Sequence, residues 1–309
     1  MIVLPQPQGF HLPDLNIGLD VSRLIDGNVI VSHAHGDHMP KSKLLHAIAT
    51  PATAALLRAR GYRGALTVLR FHEPMDLERC RVTLYPAGHI LGSAMAHVES
   101  DAGSLLYTGD FKSPPSPTSD GFAFPTGVDL LITEATFGLP IYKWEPHEVL
   151  FEQIRDFAKT ALAEGQTPVF YGYSLGKTQE ILHALAPLGL TSQVHHSAYA
   201  LCRIYEDFGV DLGSYERYDE WTVAGKAVVC PQGSLQVDNA RTARVSGWAA
   251  LEGRTRSSGA HAHIALSDHA DYFELMRFIE AVNPKELKVV HSPDPSVVDW
   301  MWSTQKRIS

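Results

Sequence analysis

The chain has 309 residues, 45% of them hydrophobic and 19% charged, which is the composition of a folded protein with its own core rather than of a disordered chain. Against 34 Asp and Glu stand 26 Lys and Arg, a formal charge of −8; this excludes a broadly basic protein that coats nucleic acid through clustered cations, though not an enzyme that meets phosphates through metal ions. No apolar run approaches the roughly 18 residues of a membrane span, the start MIVLPQPQGFHLP lacks a secretory signal pattern, and the three scattered cysteines show no CxxC pairing, so a soluble protein of the reducing cytoplasm is expected.

In chain order, the first half alternates short apolar runs with turn residues, and strands are predicted at Val29 to Val31, Val82 to Tyr85, Ser104 to Tyr107 and Leu130 to Thr133. Each strand runs into a polar cluster, giving VIVSHAHGDH, LYPAGH, LLYTGD and LLITEAT, so a sheet would deliver His, Asp and Glu to loops at its strand ends. From about Glu145 the texture changes. An amphipathic helix from Pro146 to Glu164, a strand at Thr167 to Tyr171 and a helix from Gly176 to Ala186 are followed by strands at Gln193 to His195 and Ala227 to Cys230 around a helix from Tyr199 to Phe208. This reads as an inserted parallel α/β unit. After Trp248 come a Gly-, Ser- and Arg-rich loop, the strand AHIALS, a helix from Ala270 to Ala281 and the strand LKVVH, which are predicted to rejoin the first module. The expected boundaries are 1–140, 141–245 and 246–309.

Among 16 histidines, His33, His35 and His38 stand with Asp37 in the single run HAHGDH, directly after a strand. Residues 33 and 35 share one side of an extended chain, and a turn at Gly36 can swing Asp37 and His38 toward a second point. Neutral imidazole and carboxylate are the ligands that suit zinc, and a catalytic site needs three or four of them with one position left for water. The plainer reading, a His-rich surface loop, fits an isolated HxH better than it fits HxHxDH. His89 in PAGHILGS and Asp110 in YTGDFK complete the set at two further strand ends, with Asp110 the candidate carboxylate to bridge two cations.

The order HxHxDH, His, Asp, His resembles the ligand pattern of the metallo-β-lactamase fold superfamily, and Asp20 in IGLDVSR resembles its early acidic motif, which supports ligands rather than binding metal. SDHADYFEL, with His269 at a helix start, KVVHS, with His291 after a strand, and Glu134 in TEATFG resemble the three added motifs of the β-CASP nucleases. The resemblance implies an α/β fold, a metallo-β-lactamase αββα sandwich with an inserted β-CASP α/β cap domain. It further implies that His33, His35, His89 and Asp110 hold one zinc, and that Asp37, His38, Asp110 and His291 hold the other. His269, oriented by Glu134, would stay off the metals as general acid or transition-state stabiliser, and Asp37 is counted with these two among the catalytic residues. One departure stands out, because HSPDP replaces the glycine that usually follows the last histidine.

Weaker signals come with plainer alternatives. GYSLGKTQE falls one residue short of a P-loop, which removes ATP from consideration, yet Ser174, Gly176 and Lys177 at a helix start could grip a phosphate of the substrate. Arg254 and Arg256 in GRTRSSG are candidate backbone contacts, against the alternative of a solvated loop. Tyr171, Tyr173 and Trp248 could stack bases, but single aromatics beside apolar strands are more often core.

Two Zn²⁺, with Mn²⁺ as a substitute, would activate water and neutralise charge on attacking and leaving oxygens, and phosphodiester hydrolysis is the reaction expected. Within the resembled family the bacterial ligase-associated DNA exonucleases fit best. That implies a DNA exonuclease of DNA repair, nucleic acid as partner with DNA favoured over RNA, and a DNA ligase or helicase as companion. The alternatives are an RNA-processing ribonuclease of the same family, a small-molecule thioester or lactone hydrolase and, least in keeping with a full ligand set, a silent scaffold.

Overall fold

The computed structural model describes residues 1–23, 25, 27–251, 259–292, 294, 296, 298, 302 and 303. The chain divides into one compact unit formed by Met1–Lys143 with His269–Ser309 and a second formed by Trp144–Asp268.

The first unit holds two six-stranded sheets. One runs Leu4–Pro5, Phe10–Leu12, Ile17–Leu19, Asn28–Ile30, His46–Ala49 and Leu66–Val68 in spatial order. The other runs Glu286–Val290, Leu130–Glu134, Gly103–Tyr107, Ala94–Ser100, Arg81–Pro86 and Pro74–Asp76. Alternation along the strands of the second sheet separates two cores. Leu105, Tyr107, Ile132, Ala96 and Val98 face the first sheet and meet Leu12, Ile17, Leu19 and Ile30. Their neighbours Leu106, Leu131 and Met95 face the other way, onto Leu275, Phe278 and Ile279 of the helix Tyr272–Val282. A strand buried on both faces reads as an unbroken apolar run, which is why LLY and LLIT were legible as strands.

Leu130–Glu134 pairs in parallel with both Gly103–Tyr107 and Glu286–Val290. Two successive antiparallel steps bring Arg81–Pro86 back to that same direction. His89, Asp110 and His291, which follow three of these strands, and Glu134, which ends the fourth, therefore lie at one end of the sheet.

The second unit is built on a six-stranded sheet, all parallel, in the order Tyr215–Arg217, Ser192–Val194, Ala227–Cys230, Thr167–Tyr171, Ala240–Val245, Ala262–Ile264. Helices His147–Ala163, Lys177–Leu185 and His196–Asp207 accompany it, close to the predicted spans. The predicted closing boundary is corrected. Ala262–Ile264 does not return to the first module but pairs with Ala240–Val245, so the inserted unit extends to Asp268 rather than ending at 245. A three-residue apolar strand carries no mark in its own sequence of the sheet it will join.

Candidate metal centre

Four of the sequence-predicted ligands meet in the first unit. One ligand atom from each of His33, His35, His89 and Asp110 lies within 4.8 Å of all the others. His35 Nδ1 is 3.1 Å from His33 Nε2 and 3.1 Å from His89 Nε2. Asp110 Oδ2 is 3.6 Å from His33 Nε2 and 3.9 Å from His89 Nε2. Donors held at about 2.0–2.1 Å from a tetrahedral zinc stand roughly 3.3–3.4 Å apart, so this donor set fits such an ion in both chemistry and spacing. Burial, with the His38 and His89 rings nearby, lowers the His33 pKa well below its ordinary value and keeps its lone pair free.

The loop turns as its sequence suggests, His38 N–H donating to the His35 carbonyl at 3.1 Å. This brings His38 Nε2 to 3.4 Å from the same Asp110 Oδ2 and 3.8 Å from Asp37 Oδ2. Asp110 Oδ2 thus has ring nitrogens of His33, His38 and His89 all within 3.9 Å. Burial opposes charge on His38, but Asp110 and Asp20 more than offset it and raise its pKa well above the ordinary value. His291 is less closely drawn in: its ring centroid is 6.0 Å from that of His38, and the residue is exposed with φ +52°.

Asp20 holds this side together. Its carboxylate accepts from Ser32 N at 2.7 Å, Ser32 Oγ at 2.5 Å and Tyr107 Oη at 2.9 Å, and stands 2.8 Å from His38 Nδ1. Fixing Nδ1 leaves Nε2 directed at Asp110. Burial and the Asp20 and Asp110 carboxylates push the Tyr107 phenol well up, so it remains a donor. Gly109, at φ +55°, lets the Asp110 turn press on Ser32, because a Cβ there would stand 2.5 Å from the Ser32 Cβ and Oγ.

Glu134 and His269 also meet. His269 Nδ1 is 2.8 Å from Glu134 Oε1, and its ring centroid is 4.7 Å from that of His89. Glu134 is fixed in turn by Phe111 N at 2.8 Å and Thr136 Oγ1 at 2.5 Å. Nδ1 on Glu134 fixes the orientation of the His269 ring. The chain that follows it is anchored at two points: Ala270 N donates to the Phe111 carbonyl at 2.8 Å, and buried Lys112 binds both Glu274 carboxylate oxygens, at 3.0 and 2.8 Å. Glu274 also closes the Asp271 capping box at the start of the helix, so the Asp110 loop and the His269 turn are tied together twice.

The sequence reading missed Ser32, Tyr107, Thr136 and Lys112. Tyr107 had a usable signal, since a tyrosine inside a buried strand needs a partner for its hydroxyl. The predicted phosphate grips fare differently. Lys177 is buried at 1% exposure with its ammonium on Glu180 and 3.7 Å from Asp268, so it does not present a cation to a ligand. Gly176 N donates to Gln179 Oε1 at 2.7 Å, and Ser174 Oγ is 2.6 Å from Ser197 Oγ. The helix start that resembled a phosphate cradle is thus capped by its own glutamine. Arg254 and Arg256 lie outside the described residues. Tyr173, expected in the core, is 67% exposed and lines a cavity of the second unit with Tyr171 and Arg244.

Comparison with known proteins agrees with this geometry. Residues 260–298, which contain His269 and His291, match the model of the Zn-dependent metallo-hydrolase RNA specificity domain. A Probable DNA ligase of Opitutus terrae is 39% identical over 92% of this chain, an RNase J-like protein of Methanocaldococcus jannaschii is 29% identical over 50%, and Cleavage and polyadenylation specificity factor 73 of Drosophila melanogaster is 31% identical over 38%. The chain spans only 28%, 42% and 17% of the lengths of these relatives. A crystal structure of a protein of unknown function from Enterococcus faecalis V583 superposes with TM-score 0.63 at 15% identity, over 90% of this chain and 79% of that one, and shares the fold. Two packed sheets carrying a histidine-rich centre, with an α/β unit inserted in the sequence, define the metallo-β-lactamase fold of β-CASP type. The matched model and these relatives support a β-CASP reading of the chain.

Proposed function

We propose that the protein is a dizinc phosphodiesterase that cuts nucleic acid, acting as a DNA exonuclease in repair. The observation that carries this reading is the convergence of His33, His35 and His89 on one side of Asp110 and His38 on the other, with the His269–Glu134 pair alongside. In the proposed arrangement His33, His35, His89 and Asp110 hold one zinc; Asp37, His38, Asp110 and His291 hold the second. Zinc there supplies Lewis acidity toward a phosphodiester and a water molecule. His269, its Nδ1 held by Glu134, presents Nε2 to the leaving oxygen and gives it a proton, and Glu134 steadies the ring for that transfer.

DNA is favoured because the relative that aligns over 92% of the chain bears the name Probable DNA ligase. That name also makes a ligase or helicase of a repair system the partner we infer, in a reducing cytoplasm that the free thiols of Cys80, Cys202 and Cys230 suit. Among the described residues no helix is long and apolar enough to cross a membrane. A ribonuclease is the second reading, favoured by the RNA specificity model matched over residues 260–298. Digestion of end-labelled single-stranded DNA, duplex DNA and RNA of one sequence, with Zn²⁺ or Mn²⁺ supplied, separates the two. The expected result is mononucleotide release from DNA ends; faster cutting of RNA reverses the preference, and rapid cutting of a single-stranded circle replaces exonuclease by endonuclease.

A further inference from the structure

A cavity of about 440 Å³ in the first unit lies against the His38 side of the centre, walled there by Asp37, His38 and His291. Its size falls within the roughly 300–1,000 Å³ range of small-ligand pockets. The opposite wall is the turn Pro5-Gln6-Pro7-Gln8-Gly9, closed by Gln6 N donating to the Gly9 carbonyl at 3.0 Å between two short paired strands. Two prolines stiffen this turn. Gly9, at φ +67°, lets it press on the backbone beneath, since a Cβ would fall 1.8 Å from the Leu19 carbonyl oxygen and 2.9 Å from that of Asp20. The turn is thereby registered to the residue that orients His38.

Two polar groups on these walls are unspent. Gln8 Oε1 is buried with no hydrogen-bond partner, an arrangement that folded proteins rarely leave unused. Lys288 is half-buried, with Nζ 4.6 Å from the Phe10 ring centroid, and makes no ion pair among the described residues. Both line the cavity that the centre opens into. A cation, an amide oxygen and a pocket of nucleotide size beside a phosphodiester-cutting centre suit one kind of occupant.

We propose that this cavity is a nucleotide subsite, taking the nucleotide next to the scissile phosphodiester, with Lys288 on its phosphate and Gln8 Oε1 accepting from an N–H of its base. Every nucleobase tautomer in nucleic acid carries an N–H on some edge, so the pocket reads position along the strand rather than one base. The inference rests on the nuclease reading of the metal centre.

Thymidine 3′,5′-bisphosphate contains no phosphodiester, so its binding to the full chain with zinc supplied can be read by calorimetry without turnover. The expected result is saturable binding that Lys288→Met weakens at least tenfold and Gln8→Leu about threefold, while Lys288→Arg stays near wild type. Equal losses in Lys288→Met and Lys288→Arg would mean that the side chain serves packing, and would overturn the subsite. So would wild-type affinity in both Lys288→Met and Gln8→Leu, or no binding to the wild-type chain. Failure of the protein to cut any oligonucleotide would instead refute the nuclease reading, and calorimetry tells the two failures apart.

Discussion

The two sides of the metal centre share Asp110 but are built to different standards. On one side three imidazoles stand with ring nitrogens as close as 3.1 Å, and the His33 and His89 side chains are fully buried. On the other only His38 is buried; the Asp37 side chain is 71% exposed, and His291 lies at the end of the edge strand Glu286–Val290 with its ring 6.0 Å from that of His38. The first side is positioned before any ion arrives, because its ligands sit on strand-end loops braced by a filled core. The second must draw in a loop tip and an exposed histidine when an ion binds, and that ordering subtracts from affinity. In the proposed two-metal arrangement, one ion should therefore be held tightly and one weakly.

The most damaging test removes what the two sides share. Asp110→Asn should strip both, lowering metal content and activity together and beyond the roughly 10- to 100-fold that supporting residues command. Metal content near wild type would show that Asp110 is not a bridge. His269→Ala comes next, with turnover down about 10²-fold and both metals retained, as befits a group that moves a proton without holding a metal. Release of a metal by this change would put His269 among the ligands. Glu134→Gln should act in the same direction but less, about tenfold, since the ring keeps a hydrogen-bond partner and loses only the charge that stabilises its protonated form.

The difference in affinity can be read directly. Titration of the fully loaded protein with a chelator of graded strength should remove one equivalent before the other, and activity should fall with the first. Asp37→Asn should make that first release easier without changing the second. A single step for both equivalents would abolish the distinction between the sides.

What was legible in the sequence divides along the same line. HAHGDH, PAGH and TGD are local runs at the ends of buried strands, so ligand identity and relative placement could be read from apolar run followed by polar cluster. The paired roles of His269 and Glu134 depended on family motifs, because 135 positions separate them and nothing local joins them. Of the phosphate grips, Lys177 and Gly176 turn out to be engaged within the chain, because a helix start with Gly, Lys and Ser is equally well a self-capped terminus, as the Gln179 side chain on Gly176 N makes it here. The strands Phe10–Leu12 and Ile17–Leu19 and the joining of Ala262–Ile264 to the second unit lay beyond reach for a related reason: segments of three residues have too few alternations to fix face or partner. Support around Asp20 was half visible, the acid itself by resemblance but not Ser32 or Tyr107, which reach it from 12 and 87 positions away.

That hidden support supplies the smallest effect. Tyr107→Phe deletes one donor to Asp20 and leaves the ring in the core between the sheets, where it already packs edge-on to Phe10 at 6.0 Å. Asp20 keeps Ser32 and His38, so no charge is stranded, and the loss in unfolding free energy should be about 1 kcal/mol, measurable by urea denaturation of the metal-free chain. The metal effect should be unequal. Asp20 meets His38 directly and reaches His33 through Ser32 Oγ, 3.0 Å from His33 Nδ1, so the weakly held metal should lose affinity about two- to fivefold while the tight one moves less. An equal drop in both affinities would mean that Asp20 supports the whole centre rather than one side, and that the contrast between tight and loose halves is a matter of exposure alone.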